Sequence, residues 1–386
     1  MRSLIDSLDE TSLGMLLREL GESARAFRFE VAPNPCVGAA LLRSGEVVSR
    51  GFHRFWGGPH AEVEAFELAE ESGIKASECD TLVVTLEPCS TTGKTPPCVE
   101  RILAADIRRV VVGALDPDPR HRGKGLELLQ EAGVEVCLVP GASPLDTVAP
   151  HFQRWTRPER VRRPRPWTVL KWAQTLTGQL SPPEDVGEGR WISGTASLDE
   201  VQLLRSRADA ILTGIGTVRA DDPRLSVRPP ASCDGKAPLR VVLDSYLRTP
   251  PEARLFEPAG PGELAGEVVI LAHPGADGAR ARALEAVGAR VVGVRGADRK
   301  RIDLRSVQDW LWEQGVQRLL VEAGPSTLTS YLDDGVVDQV RVVTGNVRGG
   351  RGDSLGPRLA ELELLERLDR ECGEDSVLEA FLSELR

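Results

Sequence analysis

No run in the 386 residues approaches the roughly eighteen consecutive apolar positions that a membrane-spanning helix needs. The opening MRSLIDSLDETSLG has neither a basic start nor an apolar signal core, so a soluble cytoplasmic protein that binds no membrane is expected. A surplus of positive charge is also missing, because 48 Lys and Arg stand against 58 Asp and Glu for a net −10. That balance argues against a broad nucleic-acid surface, and no nucleic-acid partner is expected. The one concentrated basic run, RWTRPERVRRPRPW at 154–167, alternates with proline and reads as a linker. Nor do the seven cysteines (36, 79, 89, 98, 137, 233 and 372) suggest a disulfide framework in an intracellular chain. Two of them need another explanation.

What is present is apolar patterning, 41% of residues, over a length that favours two domains. Helix-spaced SLIDSLDETSLGMLLRELGESAR is followed by two strands around Ser44-Gly45 and by the helix HAEVEAFELAEESG. Strand TLVVTLEP, helix PPCVERILAADI, strand RRVVVGALDP, helix KGLELLQEAG and strand VEVCLVP complete the first pattern. Past the linker the alternation restarts with PWTVLKWAQT and runs through ADAILTGIG, LRVVLDS, EVVILAH, ARVVGV and QRLLVEAG to VVDQVRVVTG. Such alternation predicts α/β sheets covered by helices, with sites at strand ends. The expected organisation is a domain at 1–150, a Pro/Arg linker at 151–166 and a second domain at 167–386 with a brief C-terminal tail. Two unlike units suggest two activities, or one activity and a regulatory unit.

The first unit carries PHAEVEAF at 59–66 and EPCSTTGKTPPC at 87–98. A catalytic zinc takes three protein ligands and keeps one position for water; His60, Cys89 and Cys98 supply three. Glu62, two residues past the histidine, is then left as a base that moves protons between water and a leaving amine. Nucleobase deaminases pair His-x-Glu with Pro-Cys-x-x-Cys in this way. Either motif alone is commonly a surface pair or an incidental thiol; both at domain-compatible spacing point to a metal centre. His with two thiolates leans to Zn2+. Eight residues separate these cysteines, not two.

APNPCVGAAL, GFH, PHAEVEAF, TLEPCSTTGKTPPC and LDPDP occur in the order seen in the riboflavin-biosynthesis deaminases, whose cysteines also flank a loop ending in Thr-Pro-Pro-Cys. The chain therefore resembles the family of bifunctional diaminohydroxyphosphoribosylaminopyrimidine deaminase/5-amino-6-(5-phosphoribosylamino)uracil reductases. The resemblance implies a cytidine-deaminase-like N-terminal fold, with Asn34, His53 and Lys94 contacting the pyrimidine or its ribose phosphate. It also implies a small-molecule partner, a pyrimidine ribosyl phosphate.

The C-terminal half has only His151 and His273 and no cysteine pair, so it is poorly equipped for metal or acid–base work. Hydride transfer needs neither, since the cofactor carries the reactivity. TGIGTV at 213–218 and EAGPST at 322–327 are small-residue turns after apolar strands, able to approach a pyrophosphate. With GRWISG, VQLLRSRADAILTGIGTVRADDPRLSVR, VVLDS and VEAGPS they follow the family's order. That resemblance implies a dihydrofolate-reductase-like fold using NADPH. Ala173, Trp191, Thr217, Asp221, Ser245, Gly324, Pro325, Ser326 and Thr327 would then line the cofactor site, and Lys171, Arg205, Leu225, Arg228 and Glu322 the substrate site.

Four positions depart from the family pattern. Thr91 replaces a usual His, Thr177 a carboxylate, Gly189 a common Ser and Leu198 a helix-start Arg. The expected function is deamination of 2,5-diamino-6-(ribosylamino)pyrimidin-4-one 5′-phosphate followed by NADPH reduction of its ribosyl group to ribityl. The rival is a deaminase joined to a non-catalytic, nucleotide-binding reductase-like unit. A cytidine or tRNA-adenosine deaminase is opposed by the wide cysteine spacing and the acidic charge. A homodimer or homotetramer is compatible with the sequence, which does not choose between them.

Overall fold

The computed structural model describes residues 9–93, 96–139, 141–142, 144–184, 192–229, 231, 237–296 and 301–383. The chain forms two compact units, Met1–Arg163 and Pro164–Arg386. Among the described residues no helix is long and apolar enough to cross a membrane.

In the first unit β1 (Gly38–Arg43), β2 (Glu46–Phe52), β3 (Thr81–Val84), β4 (Arg109–Val112) and β5 (Glu135–Leu138) form one sheet in the order β2-β1-β3-β4-β5. The β1–β2 hairpin closes at Ser44-Gly45, both with positive φ, the twist-compatible turn of a short hairpin. Side chains alternate across the strands, so each face needs its own cover. Ala40, Leu42, Val83 and Val111 pack against Leu13, Leu16, Leu17 and Leu20 of the helix Glu10–Ala24. That helix starts where Asp9 Oδ1 accepts from Ser12 N at 2.7 Å. Ala39, Leu41, Leu82 and Val84 face the other way, onto Ala65, Phe66, Ile102 and Leu129 from three further helices.

One approach in this layer is unusually close. A Cβ on Gly51 of β2 would sit 2.2 Å from the Ala61 carbonyl oxygen and 2.3 Å from Ala65 N. Only glycine lets the helix Ala61–Glu71, which begins just after His60, lie this near the sheet. Gly51→Ala is therefore expected to cost at least about 1–3 kcal/mol through overpacking. Thermal unfolding of the variant checks it, and an unchanged melting temperature would contradict the packing argument.

Residues 151–166, expected as a linker, contain two short helices, Pro150–Trp155 and Pro158–Arg162. Proline stands at the first turn of each, where its missing N–H costs nothing. His151 is fully buried and lies against the Asn34 carbonyl.

The second unit holds β6 (Trp167–Gln174), β8 (Ala210–Gly214), β9 (Leu239–Leu243), β10 (Val268–Ala272), β11 (Ala289–Gly293), β12 (Arg318–Glu322), β13 (Gln339–Thr344), β15 (Leu364–Cys372) and β16 (Asp375–Leu382). Their order is β11-β10-β9-β8-β12-β6-β13-β16-β15, with β7 (Gln179–Ser181) and β14 (Arg351–Ser354) paired separately. Pairs from β11 through β13 are parallel, and β13–β16 and β16–β15 are antiparallel. The segment that reads as a brief acidic tail is thus largely the edge hairpin β15–β16. At β8 and β12, strands far apart in sequence lie side by side, and turns following such carboxyl ends form crevices in open α/β sheets.

Candidate active sites

His60 stands at the N-cap of the helix Ala61–Glu71, Cys89 follows β3, and Cys98 begins the helix Cys98–Ala104. The three ligating atoms lie within 4.8 Å of one another, the one such group of three found among the described residues. His60 Nδ1 is 3.3 Å from Cys98 Sγ and 3.5 Å from Cys89 Sγ. A tetrahedral zinc with Zn–S of about 2.3 Å and Zn–N of about 2.0–2.1 Å would set such atoms about 3.6 Å apart, so this donor set fits the ion.

The three groups act on one another's protons. The hydrogen bond from the Cys98 thiol holds Cys89 down at about 4, helped by His60 and opposed by burial. The same bond and burial push Cys98 up. Burial works against a charge on His60, yet the bond to Cys89 and the nearby Glu62 outweigh it and raise the imidazole. Glu62 is 3% exposed, and burial lifts its carboxyl above the ordinary range although His60 pulls the other way.

Two of the expected pyrimidine contacts converge here. His53 lies edge-on to His60, ring centres 5.3 Å apart. Its Nδ1 is 2.8 Å from the Pro59 carbonyl and its Nε2 is 3.0 Å from Asn34 Nδ2. The carbonyl can only accept, so Nδ1 carries the proton and Nε2 accepts from the amide. Burial, then His60, lowers this histidine to about 4 and keeps it neutral. The side-chain amide of Asn34 is thereby oriented, its NH2 toward His53. Lys94 lies outside the described residues, and Thr91 is exposed on the loop between the cysteines.

In the second unit the register sets Lys171 of β6 beside Glu322 of β12. Glu322 accepts two bonds from Arg205, at 2.8 and 2.9 Å, and Arg205 Nη1 also donates to the Ser226 carbonyl at 3.1 Å. Burial would raise Glu322, but Arg205, Lys171 and Arg228 together hold it low. Lys171 is lowered by burial and by Arg205 and Arg341, with Glu322 opposing. Leu225, at φ 51, opens a loop whose Arg228 N–H is caught by Gln202 Oε1 at 2.9 Å. Lys171, Arg205 and Glu322 are thus in one row, with Leu225 and Arg228 on the loop attached to it.

The two small-residue turns also meet. Gly324 N donates to Thr217 Oγ1 at 2.8 Å, and a Cβ on Gly214 would reach within 2.4 Å of Thr327 Oγ1. Gly324 caps the helix Pro325–Asp333, which contains Ser326. Ala173 is on β6, Asp221 ends the helix Ile215–Asp221 with its carboxyl raised by burial, and Ser245 follows β9. None of these three is hydrogen-bonded directly to the Thr217–Gly324 pair. Trp191 and Gly189 lie outside the described residues. Leu198 is half-buried in the helix Thr195–Ser206. Thr177 has a task of its own, since its Oγ1 accepts from Gly349 N at 3.0 Å and lies 3.1 Å from Gly349 O.

Sequence reasoning overlooked a buried charge network. Arg341 meets Glu200 and Glu379, and Arg370 meets the same two carboxylates. These residues sit on one helix and three strands, so no local motif announces them. Glu87 was overlooked as well, although it stands inside TLEPC.

Two catalytic units follow from this geometry: a zinc-type deaminase whose histidine and buried carboxylate stand at the start of one helix and whose two thiols come from a strand end and the start of a second helix, and a cofactor-dependent reductase built at parallel strand ends. Residues 15–114 match the cytidine and deoxycytidylate deaminase zinc-binding region, and 166–366 match the RibD C-terminal domain. The riboflavin biosynthesis protein RibD of Aquifex aeolicus is 37% identical over 325 residues, covering 84% of each chain. RibD of Escherichia coli is 34% identical and covers 83% of each. The solved structure of Acinetobacter baumannii RibD aligns with a TM-score of 0.64 at 27% identity, covering 97% of this chain and 100% of that one. The chain belongs to the RibD family of riboflavin biosynthesis, and so is a bifunctional deaminase and reductase using zinc and NADPH. A non-catalytic second unit is not favoured.

Proposed function

We propose that the first unit hydrolyses the 2-amino group from 2,5-diamino-6-(ribosylamino)pyrimidin-4-one 5′-phosphate, and that the second reduces the ribosyl C1′ of the product. A related structure, from Thermotoga maritima, carries both activities in its name, as a diaminohydroxyphosphoribosylaminopyrimidine deaminase and 5-amino-6-(5-phosphoribosylamino)uracil reductase. The observation that carries the reading is the buried Glu62 beside His60, Cys89 and Cys98.

His60 Nδ1 and the two thiolates would hold zinc, which when bound supplies a water acidic enough to attack at neutral pH. Glu62 takes a proton from the attacking water and returns one to the departing amine, so ammonia leaves and a ring carbonyl remains. Its raised carboxyl suits both directions of transfer. The Asn34 side-chain Oδ1 accepts from the ring edge, the amide being held in that orientation by His53. Lys94 is assigned to the phosphate by motif position alone.

In the second unit the Thr217–Gly324 pair and the helix start at Pro325–Thr327 are assigned to the pyrophosphate of NADPH, which supplies the hydride. Ala173, Trp191, Asp221 and Ser245 complete that assignment from the sequence. Arg205 is committed to Glu322 and the Ser226 carbonyl, so it shapes the substrate pocket; Lys171 and Arg228 remain to meet the substrate.

One incubation of purified protein with the diaminopyrimidine phosphate and NADPH tests both halves. Ammonia release followed by loss of NADPH absorbance is the expected result. Ammonia without NADPH loss would overturn the reductase assignment, and no ammonia would overturn the deaminase one.

A further inference from the structure

We infer that Glu87 is a positioning residue for the metal site, acting through the backbone of Pro88 and Cys89; this rests on the deaminase reading above. Glu87 is only 6% exposed, yet among the described residues its carboxylate meets no side-chain cation. Three backbone N–H groups converge on it instead: Asp116 at 3.1 Å and Gly123 at 2.9 Å on Oε2, and Gly125 at 3.0 Å on Oε1. Its own N–H donates to the Ala114 carbonyl at 2.9 Å. One side chain thus gathers the ten residues 116–125, which lead from the end of β4 into the helix Lys124–Glu131.

That loop presses on the turn that presents Cys89. A Cβ on Gly125 would lie 2.1 Å from the Pro88 carbonyl oxygen, so the backbones are in contact there. On its far side Cys89 is fixed by Cys98 N, 3.2 Å from Cys89 Sγ, and by Val99 N, 3.2 Å from its carbonyl. Cys89 is therefore gripped between the start of the helix Cys98–Ala104 and the Glu87-bound loop. A charged acceptor with three N–H partners makes strong, directional bonds, which suits a part that must hold a ligand to within tenths of an ångström. Asp118 stiffens the same loop, taking Arg120 in a bidentate pair.

Glu87→Gln keeps the shape and removes the capacity. One of its two heads becomes an NH2 facing N–H donors, so at least one of the three bonds is lost. Zinc affinity is expected to fall about 10–100-fold, with faster release to a chromogenic chelator, and the cobalt(II)-substituted protein should show a shifted thiolate and ligand-field spectrum. Gly125→Ala, which pushes on Pro88 with Glu87 intact, should move both readouts the same way and serves if the first variant does not fold. Wild-type zinc release and an unchanged cobalt spectrum in a folded Glu87→Gln protein, even with a lowered melting temperature, would overturn the proposal and leave the deaminase reading standing. A wild-type protein that binds neither metal would overturn that reading instead.

Discussion

Glu62→Gln lowers ammonia release by about 10²–10⁴-fold, the range in which a positioned general acid–base group contributes, and leaves zinc in place. The carboxylate is not among the three ligands, so its loss does not open the metal site. The amide keeps the volume of a side chain that is nearly sealed from solvent, so cavity formation is avoided. What disappears is the ability to take a proton at one step and return it at the next. Because burial raises the Glu62 carboxyl, it takes up its proton at a higher pH than an ordinary glutamate does. Deamination in the wild type should accordingly fall on the acid side as Glu62 becomes protonated, and this limb should vanish from the residual activity of the variant. Metal content by elemental analysis and ammonia by a coupled assay check the two halves. Full activity, or loss of zinc together with activity, would remove Glu62 from the role of proton shuttle.

Chemistry carried by residue type was legible in the sequence, and chemistry carried by register was not. His60, Glu62, Cys89 and Cys98 could be read because few arrangements other than a metal centre call for a His-x-Glu and a Pro-Cys at domain-compatible spacing. Their gathering needs only two helix starts and a strand end, all visible in the apolar pattern. Glu87 stands in the same motif and went unread, since its three partners come from residues 116–125 and meet it only when β4 lies beside β3. The Lys171–Glu322 neighbourhood likewise depends on the pairing of β6 with β12. Thr177 shows another limit of the sequence. In the sequence it is only a departure from the family's carboxylate, and the bonds of its hydroxyl to the backbone at Gly349 depend on where the chain returns 172 residues later. The β15–β16 hairpin was concealed by its charges, because an edge strand exposed along much of its length carries polar residues wherever it meets water.

Arg205→Leu destabilises the second unit by about 3–5 kcal/mol, the usual penalty for leaving half of a buried ion pair behind. Arg205 and Glu322 are 12% and 13% exposed, and the pair is bidentate, so water can do little for the abandoned carboxylate. Adding Glu322→Leu to the same protein should restore part of the stability, because the carboxylate that lost Arg205 is gone, while Lys171 loses the counter-charge it had in Glu322. Chemical denaturation of both singles and the double gives the coupling directly; a double variant no more stable than Arg205→Leu would contradict it. The singles should also act in opposite directions on Lys171. Removing Arg205 takes away a like charge and leaves Glu322 to the lysine, so its ammonium holds the proton more tightly. Removing Glu322 leaves Lys171 between Arg205 and Arg341, and it gives the proton up more readily. If the protonated lysine meets the substrate during reduction, the alkaline limb of NADPH oxidation moves up in Arg205→Leu and down in Glu322→Leu. Shifts of the same sign would show that the row does not communicate through charge, and that Arg205 serves the pocket by shape alone.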